Sequence, residues 1–450
     1  MGDDSSVRLA RRELARAIGG ALVAPVRLAA WLPRRRADVA AVRADLTPGS
    51  AAPAFAEPAA QFAQLPFSPT RPLRVLLSAA EASGEIHAAS LVRELRARAA
   101  AEGAPAPEFA AFGGERLRAL GVATLGDPVA NARMGFDGVV GALPYYVGLL
   151  EDAARHAKLH TPDVFVPVDS PALHVPMARC VRARGVPVLH LVAPQYWAWA
   201  PWRVHAYRRA VDRALTILPH EPSWYARHGV AAAHIGHPLL DALAGVPVTR
   251  PDPASRVLAV LPGSRASVIR RNLPWMLGAL GLLRAAWPDV EVHVLQANDR
   301  HAALLAELTR GHAVQVTIGD LHGALAGARA AFAVSGTVLT DVLHHRLPAV
   351  AVYRVGSRLG AALQRRLLTV PWFASTNLLA GEEVVPEYGF SGPGPVEEVA
   401  RDLVALFGDG PRRAACAAGL ERAAARLGPP GALRRAAGHV LEVAAAHARR

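Results

Sequence analysis

Short apolar runs alternate with alanine- and arginine-rich stretches of helical spacing from about residue 71 to residue 390. Runs of leucine and β-branched residues of this length predict buried strands. The predicted strands are 74–78, 109–112, 163–168, 186–192 and 215–218, followed after a Pro/Gly-rich stretch by 257–261, 290–295, 314–318, 331–334 and 349–352. Strands that alternate with helices favour parallel sheets. The predicted fold class is therefore α/β, with two doubly wound domains in tandem.

The domain organisation follows from breaks in this pattern. Residues 1–70 form a basic N-terminal extension that ends in an alanine- and proline-rich linker. The Pro/Gly-rich stretch at 244–255 separates a first domain at 71–245 from a second at 256–390. Residues 391–450 have a helical pattern almost throughout, and we expect these C-terminal helices to pack back across the domains.

The N-terminal extension combines positive charge with apolar residues. Eight arginines and one acid, Glu13, lie between residues 7 and 36, around an apolar run at 17–32 that Pro25 and Arg27 interrupt. This run is shorter than the roughly 20 apolar residues that a membrane-spanning helix needs. Two interpretations stay open: a helix that lies in a membrane interface, and an extension that docks on its own protein or stays poorly ordered.

Composition limits the kinds of binding partner and the cellular compartment that fit this sequence. The 450 residues carry a net charge of +13, but Lys158 is the only lysine, so the charge reflects an arginine bias. We find no basic stripe interleaved with aromatics, and therefore expect no nucleic-acid partner. An anionic membrane surface or a phosphorylated substrate is compatible with the charge. Two cysteines, Cys180 and Cys416, are too few for a disulfide framework or a four-cysteine zinc site, which favours a cytosolic protein.

Polar side chains of the first domain cluster where predicted strands end, which is where ligands bind in open α/β sheets. Glu81, Ser83 and Gly84 follow the first strand, where small residues expose backbone amides, although an ordinary helix cap has the same composition. Asp169 ends an apolar strand, and partial burial of a carboxylate there suits a general base; a turn residue is the alternative. Trp197 and Trp199 suit an amphiphilic ligand or interior packing.

Two junctions of the second domain suit a nucleotide. Gly263 and Ser264 offer backbone amides, and Arg265 offers a guanidinium, to a diphosphate. The turn Ser335-Gly336-Thr337 opens a later helix, with the carboxylate of Asp341 one turn inside, where it could accept hydrogen bonds from two ribose hydroxyls. For Ser335 and Thr337 taken singly, a plain helix cap is the alternative.

Taken in order, these blocks resemble the lipid-A-disaccharide synthase family, glycosyltransferases with two Rossmann-like domains (GT-B type) that work at a membrane surface. The resemblance runs from about residue 74 to about residue 388. The matching blocks are Glu81-Ala-Ser-Gly84, Phe112-Gly-Gly114 with Met134-Gly135, Pro162-Asp-Val-Phe165 leading to Asp169, Pro194 with Trp197-Ala-Trp199, Ile235-Gly-His237, Leu261-Pro-Gly-Ser-Arg265, Ser335-Gly-Thr337 and Asn377-Leu-Leu-Ala-Gly381.

The resemblance implies transfer of 2,3-diacylglucosamine from UDP to 2,3-diacylglucosamine 1-phosphate, with inversion and release of UDP. It implies that Asp169 and Arg265 are catalytic and that catalysis lies between the two domains. The implied UDP-sugar contacts are Gly263, Ser264, Arg265, Ser335, Gly336, Thr337, Asp341 and Asn377, and the implied acceptor contacts are Glu81, Ser83, Gly84, Trp197 and Trp199.

The resemblance also bears on cofactors, partners and location. It implies no cofactor and no metal, and the chain has no Asp-x-Asp, the usual metal-diphosphate ligand of the other glycosyltransferase architecture. The implied partners are UDP-diacylglucosamine, a monosaccharide lipid acceptor and the inner-membrane surface, with a peripheral location on the cytoplasmic side. A homodimer stays an open alternative.

The chain departs from the family pattern close to the implied site. Ala172 and His174 stand where the family has an aspartate and an asparagine, and Val268 stands where it has a glutamate. Asp341 replaces a longer glutamate, Glu85 replaces an aspartate, and a glutamine expected soon after Pro386 is missing, with Glu387-Tyr-Gly-Phe390 there instead. Two alternatives stay open: a divergent or catalytically silent paralogue that acts on another acceptor or serves as a binding protein in envelope assembly, and a UDP-sugar epimerase of the same architecture.

Overall fold

Two parallel sheets carry the structure, a computed structural model that describes residues 4–47, 55, 58, 60–67, 71–130, 143–356 and 366–449. The Met134-Gly135 pair lies outside the described residues. The chain divides into two compact units, which are described one by one. The first comprises Met1–Asp38, Ala52–Ala242 and Pro429–Arg450, and the second comprises Val39–Ala51 and Leu243–Gly428.

The first unit contains a seven-stranded sheet with the order β3-β2-β1-β4-β5-β6-β7. Every adjacent pair is parallel, and β4 is buried along its whole length, as expected for a sheet covered by helices on both faces. The strands are β1 (Arg74–Ala79), β2 (Glu108–Phe112), β3 (Ala123–Gly126), β4 (Val164–Val168), β5 (Leu189–Leu191), β6 (Arg213–Thr216) and β7 (Ala232–His234).

Helices connect these strands and follow the alanine-rich stretches of the sequence. The helices of the described chain up to residue 242 are α1 (Asp4–Leu22), α2 (Ala24–Trp31), α3 (Arg35–Leu46), α4 (Ala82–Ala101), α5 (Glu115–Arg118), α6 (Leu143–His160), α7 (Pro171–Arg182), α8 (Val204–Tyr207), α9 (Glu221–Arg227) and α10 (Leu239–Ala242).

The second unit contains a six-stranded parallel sheet with the order β10-β9-β8-β11-β12-β13. Its strands are β8 (Val257–Leu261), β9 (Glu291–Gln296), β10 (Gln315–Ile318), β11 (Ala330–Val334), β12 (Ala349–Arg354) and β13 (Glu387–Phe390). The helices after residue 242 are α11 (Ala266–Gly278), α12 (Gly281–Ala286), α13 (Ala302–Thr309), α14 (Leu321–Ala326), α15 (Val338–His344), α16 (Ser375–Ala380), α17 (Val396–Phe407), α18 (Pro411–Leu427) and α19 (Ala432–Ala448). The predicted α/β class and the two doubly wound sheets are confirmed.

The last helix, α19, belongs to the first unit and is held there by a carboxylate cap. Both oxygens of Asp241 accept hydrogen bonds from the first amides of α19, those of Gly431, Ala432 and Leu433. A carboxylate at this position also stabilises the positive end of the helix dipole. The buried guanidinium of Arg435 donates to the carbonyl of Ile235 at 2.7 Å. The apolar side of α19 thereby joins the core cluster that contains the residues of β1, β4 and α4.

The N-terminal extension forms the helices α1, α2 and α3 between residues 4 and 46, and α1 packs on the first unit. Ala10 is buried, and Glu13 of α1 accepts a hydrogen bond from Arg179 of α7 at 2.6 Å. Within the described residues, no single helix is long and apolar enough to cross a membrane. Only as a pair are the segments Ser5–Leu22 and Ala24–Leu46 long and apolar enough to cross a membrane. They are bent by 52° at their junction.

Candidate functional site

One candidate site lies at the switch point of the first sheet, where β1 and β4 run side by side and their connections leave in opposite directions. Glu81 precedes α4 directly after β1, and Asp169 follows β4. A Cβ on Gly84 would lie 3.4 Å from the carbonyl oxygen of Val168, so this small residue brings the start of α4 against the end of β4. The predicted residues Glu81, Gly84 and Asp169 are thus brought together, with Ser83 exposed on the same turn.

The backbone at Asp169 is strained and is held by two buried histidines. Asp169 and Ser170 both have positive φ values, 54° and 45°, a conformation that costs energy for residues other than glycine. The carbonyl oxygen of Asp169 accepts from Nδ1 of His174 at 2.6 Å and from Nε2 of His190 at 2.9 Å. The other ring nitrogen of His174 accepts from the hydroxyl of Ser78 at 2.9 Å. His174, which stands where the family pattern has an asparagine, therefore holds the turn at Asp169 in place.

Burial sets the protonation of this cluster. Desolvation lowers the pKa of His174 to about 4 and that of His190 to about 3, so both rings are neutral at pH 7. Desolvation raises the pKa of Asp169; a hydrogen bond from the backbone of Ser170 opposes this shift, and the negative charge of Glu81 adds to it. A carboxylate whose pKa is moved toward neutrality is a better proton acceptor at neutral pH than an exposed one.

Glu85, the residue that replaces an aspartate of the family pattern, has a structural contact. Its buried carboxylate accepts a hydrogen bond from the amide of Leu117 at 3.2 Å. A Cβ on Gly114 would lie 3.1 Å from both carboxylate oxygens, so glycine is needed there to let the longer side chain in. The block at 81–85 and the block at 112–114 are therefore joined to each other.

The two tryptophans predicted to contact the acceptor have different surroundings. Trp197 is fully buried, and its indole N–H donates to Glu221 at 2.8 Å. Glu221 also accepts from the amides of Ile217 and Leu218, and burial raises its pKa to about 7. In this structure Trp197 is packed in the interior, and its contact with the acceptor stays a prediction. Trp199 is 45% exposed, with the guanidinium of Arg203 5.0 Å from its ring centre, and it alone of the pair is open to a ligand.

Another candidate site lies in the second unit, at the switch point of the second sheet between β8 and β11. Gly263 has a φ of +107°, and a Cβ there would lie 2.6 Å from Cγ1 of Val268 and 4.0 Å from Cγ1 of Val334. The turn after β8 therefore packs closely on its own helix and beside the end of β11. Ser264 and Arg265 are exposed at the start of α11, where the first backbone amides and the positive end of the helix dipole favour an anion.

We expect Gly263→Ala to cost about 1–2 kcal/mol for the left-handed conformation, and more for the collision with Val268. UDP binding, followed by calorimetry, should weaken at the same time because the turn that offers its amides is displaced. Gly311→Ala is the matched control, since its φ is +80° and nothing lies within 4 Å of the added methyl. The double variant Gly263→Ala/Val268→Ala should recover part of the loss. Equal effects of the two glycine substitutions would contradict this account.

The turn at Ser335 adjoins the Gly263 turn and is partly used by the fold. The amide of Ser335 donates to the carbonyl of Val352, and its hydroxyl donates to the carbonyl of Phe373 at 3.3 Å. Gly336 and Thr337 are exposed. These two residues are the part of the turn that is open to a ligand, whereas Ser335 connects the turn to the segment before α16.

Asp341 lies in the first turn of α15 and is largely buried. Desolvation raises its pKa to about 7. Nε2 of His322 lies 3.9 Å from its carboxylate, and a hydrogen bond of 3.1 Å joins Nδ1 of the same ring to His345, which in turn pairs with the hydroxyl of Thr249 at 2.7 Å. Ribose hydroxyls would supply the donors that partly buried carboxylate oxygens require.

Asn377, predicted to contact UDP-sugar, is fully buried and its amide group is engaged by the protein. Its oxygen accepts from the amides of Val384 and Val385, and its nitrogen donates to the carbonyl of Val385 and to the carboxylate of Glu387. Glu387 also accepts from the amides of Phe373 and Ala374. In this structure the Asn377 side chain orders the protein beside the Ser335 turn, and its contact with UDP-sugar stays a prediction.

In the sequence, Glu387 stands out only because a glutamine is expected near this position. It fixes the backbone at 373–374, whose Phe373 carbonyl holds the hydroxyl of Ser335. Burial raises the pKa of Glu387 to about 7, and the three hydrogen bonds from Ala374, Phe373 and Asn377 lower it in part. The sequence signal was weak, because a single glutamate at the start of a short strand is typical of a surface position.

We expect Asn377→Ala to lower the free energy of unfolding by about 2 kcal/mol or more, because several buried backbone groups lose their partner. Chemical denaturation measures this, and Gln315→Ala, at an exposed position on the edge strand β10, is the control and should change little. The KM for the UDP-sugar should change less than the stability does. A variant of full stability with a strongly raised KM would instead indicate direct contact.

Among the described residues, no group of three or more histidine, cysteine, aspartate or glutamate side chains is placed to hold a metal ion. His237, in one of the resembling blocks, accepts from the amide of Leu239 at 3.2 Å, and burial lowers its pKa to about 4. This histidine helps to start α10. The candidate residues of the first unit include the carboxylates of Glu81 and Asp169, and those of the second unit include backbone amides, hydroxyls and the guanidinium of Arg265.

Comparisons with known proteins agree with one another on family and fold. A family model for lipid-A-disaccharide synthetase matches residues 75–406. The chain is 36% identical to the lipid-A-disaccharide synthase of Myxococcus xanthus over 388 residues, 83% of this chain and 98% of the relative. It is 34% identical to that of Acidobacterium capsulatum over 380 residues, 79% and 92% of the two chains.

Solved structures with low sequence identity share the fold. A putative UDP-N-acetylglucosamine 2-epimerase from Listeria monocytogenes aligns with a TM-score of 0.57 at 12% identity, covering 81% of this chain and 94% of that one. UGT89C1 from Arabidopsis thaliana aligns with a TM-score of 0.54 at 12% identity, covering 83% and 100%. These likenesses concern the two-domain GT-B architecture alone, so they give the epimerase alternative no functional support.

Proposed function

The chain belongs to the lipid-A-disaccharide synthase family, and on that basis we propose how its residues carry out the reaction. The activity is that of the family: UDP-diacylglucosamine is condensed with diacylglucosamine 1-phosphate, and UDP is released. The observation that carries the residue assignment is that each sheet gathers its predicted side chains at its own switch point, carboxylates in the first unit and anion-binding groups in the second.

Asp169 is the general base of this proposal. It takes the proton of the acceptor hydroxyl as that oxygen bonds to the anomeric carbon of the donor sugar. The bond from this carbon to the UDP oxygen breaks, its electron pair leaves with UDP, and the anomeric configuration inverts. The raised pKa of Asp169 and the rigid turn held by His174 and His190 support this role.

The second unit binds the donor and stabilises the leaving group. Arg265 and the amides of the Gly263-Ser264 turn offer positive charge to the diphosphate, whose negative charge grows as the glycosidic bond breaks. Asp341 accepts from the ribose, with Gly336 and Thr337 on the neighbouring turn. On the acceptor side, Glu81, Ser83 and Gly84 border Asp169, and Trp199 offers an exposed apolar surface.

We also propose that the enzyme works peripherally on the cytoplasmic side of the inner membrane, since both substrates carry acyl chains. The basic N-terminal helices support this location. A homodimer remains a proposal to be tested by sedimentation.

The deciding experiment measures UDP release from UDP-2,3-diacylglucosamine with and without 2,3-diacylglucosamine 1-phosphate in detergent micelles. We expect release only when the acceptor is present, with stoichiometric formation of the disaccharide by mass spectrometry. Donor binding without release under both conditions would overturn the proposal in favour of a silent paralogue.

A further inference from the structure

Residues 17–30, here called the apolar tip, expose an unusual amount of apolar surface. Only Arg27 carries a charge in this fourteen-residue stretch, and the exposed fractions of Ile18, Leu22 and Val26 are 51%, 75% and 68%. Thirteen large apolar residues are exposed in the described part of the chain, and five of them fall within residues 18–32. Contiguous exposed apolar surface of this kind marks an interaction site more often than ordinary surface.

The apolar tip is held at both ends by contacts within the first unit. Before it, Glu13 bonds to Arg179, and the hydroxyl of Ser6 accepts from Arg184 at 3.0 Å. After it, the ring of Trp31 is buried at 5.2 Å from that of Trp202, centre to centre. The tip is therefore a positioned element that carries its apolar side chains away from the unit that anchors it.

Arginines flank the apolar tip on both sides. Exposed arginines precede it at Arg11, Arg12 and Arg16 and follow it at Arg34 and Arg36. Long basic side chains beside an apolar helix surface suit phosphate groups of an anionic lipid headgroup layer, while the apolar side chains enter the acyl region. A second copy of the chain would bring the same positive charge to both sides of the contact, which disfavours self-association through this surface.

We propose that the apolar tip docks the enzyme on an anionic bilayer by lying in the interface between headgroups and acyl chains. Spanning is disfavoured because fourteen residues are fewer than the roughly 20 that a helix needs to cross, and because both flanks are packed on protein. The inference rests on the proposed function, since lipid substrates give the docking its purpose. The inference also extends the proposed function, because α1 and α2 lie outside residues 75–406, which the family model matches.

The anchored end of the apolar tip adjoins the proposed acceptor side. Trp202, the contact of Trp31, lies three residues after Trp199 on the loop that follows β5. The contact between Trp31 and Trp202 thus places the end of the tip beside the segment that carries Trp199, within the first unit. A bilayer that holds the tip lies next to the loop on which we expect the acyl chains of the acceptor to bind.

The test is vesicle flotation of the full chain without substrate. Vesicles of mixed phosphatidylethanolamine and phosphatidylglycerol are compared with vesicles of phosphatidylcholine. We expect binding to the anionic vesicles and at least about tenfold weaker partitioning of Leu22→Gln/Val26→Gln, because two apolar side chains no longer leave water. Leu159→Gln/Leu282→Gln is the matched control, with exposed fractions of 68% and 49%, and should bind as the wild type does. Arg34→Gln/Arg36→Gln should lose most of the preference for anionic vesicles.

Three results would overturn the inference: no flotation of the wild type, equal flotation of the Leu22/Val26 variant, or a shift of that variant from dimer to monomer in sedimentation without a change in flotation. Activity in detergent micelles separates this inference from the proposed function. A Leu22/Val26 variant that releases UDP in micelles at the wild-type rate but no longer floats with vesicles supports both the docking inference and the proposed function. A wild type that floats but releases no UDP contradicts only the proposed function.

Discussion

We expect Asp169→Asn to lower the transfer rate by about 10²–10⁴-fold, the usual contribution of a positioned general base. The amide keeps the shape of the side chain but does not accept the proton of the acceptor hydroxyl. The backbone turn stays in place, because His174 and His190 hold the carbonyl of residue 169 and not its side chain. The measurement is the initial rate of acceptor-dependent UDP release at saturating donor.

Stability provides the control for Asp169→Asn. Because the native pKa of Asp169 is raised, the native state keeps this proton to a higher pH than the unfolded chain does. Stability therefore falls as the pH rises from the unfolded to the native pKa, and the ionised carboxylate destabilises the fold above that window. Asparagine has no such cost, so the melting temperature at neutral pH should stay equal or increase. A strongly destabilised variant would indicate a structural role, and full activity would exclude the base role.

The pH profile tests the same assignment without removing the base. The rate should fall on the acidic side as Asp169 becomes protonated. Glu81→Gln removes a negative charge that raises the pKa of Asp169, so the acidic limb should move to lower pH. An unchanged limb would mean that another group limits the rate.

We expect Arg265→Ala to lower kcat by about 10²–10³-fold, the usual loss when one donor to a developing negative charge is removed. Arg265→Lys should recover only part of the rate, since an ammonium lacks the two-pronged geometry of a guanidinium toward phosphate oxygens. Arg270→Ala is the matched control: it lies on the same helix, α11, is exposed and should leave kcat unchanged. Calorimetry with UDP then separates ground-state binding from stabilisation of the leaving group.

A loss of kcat with unchanged UDP affinity would place the effect of Arg265 in the transition state, and a loss of both would place it in diphosphate binding generally. Equal rates for Arg265→Ala and Arg270→Ala would contradict the assignment. Melting curves of both variants should overlay that of the wild type, because both side chains are exposed.

The sequence alone predicted most of the fold because the strong signals are local. Buried parallel strands read as continuous apolar runs, and β8 was predicted at its observed bounds. Three strands were not predicted, β3, β7 and β13, which are three or four residues long at the sheet edges. Short edge strands carry too few apolar residues to be distinguished from loops.

The candidate site was predictable in part, since polar residues at strand ends converge wherever the strands are parallel neighbours. The sequence thereby determined the placement of Glu81 beside Asp169, and of the Gly263 turn beside Ser335. It did not predict the function of His174, which appeared only as a departure from a pattern. Its contacts with Ser78 and with the Asp169 carbonyl depend on side-chain directions that no spacing rule supplies.

Tertiary structure alone decided which side chains are exposed. Trp197 belongs to the same block as Trp199, and the block of Asn377 is as characteristic as that of Arg265. Both Trp197 and Asn377 are nevertheless buried and hydrogen-bonded within the protein. The converse holds for the apolar tip, whose composition fits a buried helix but whose side chains face outward. Local sequence sets backbone preference and polarity, whereas burial depends on which distant residues pack nearby, and that is fixed only when the whole chain has folded.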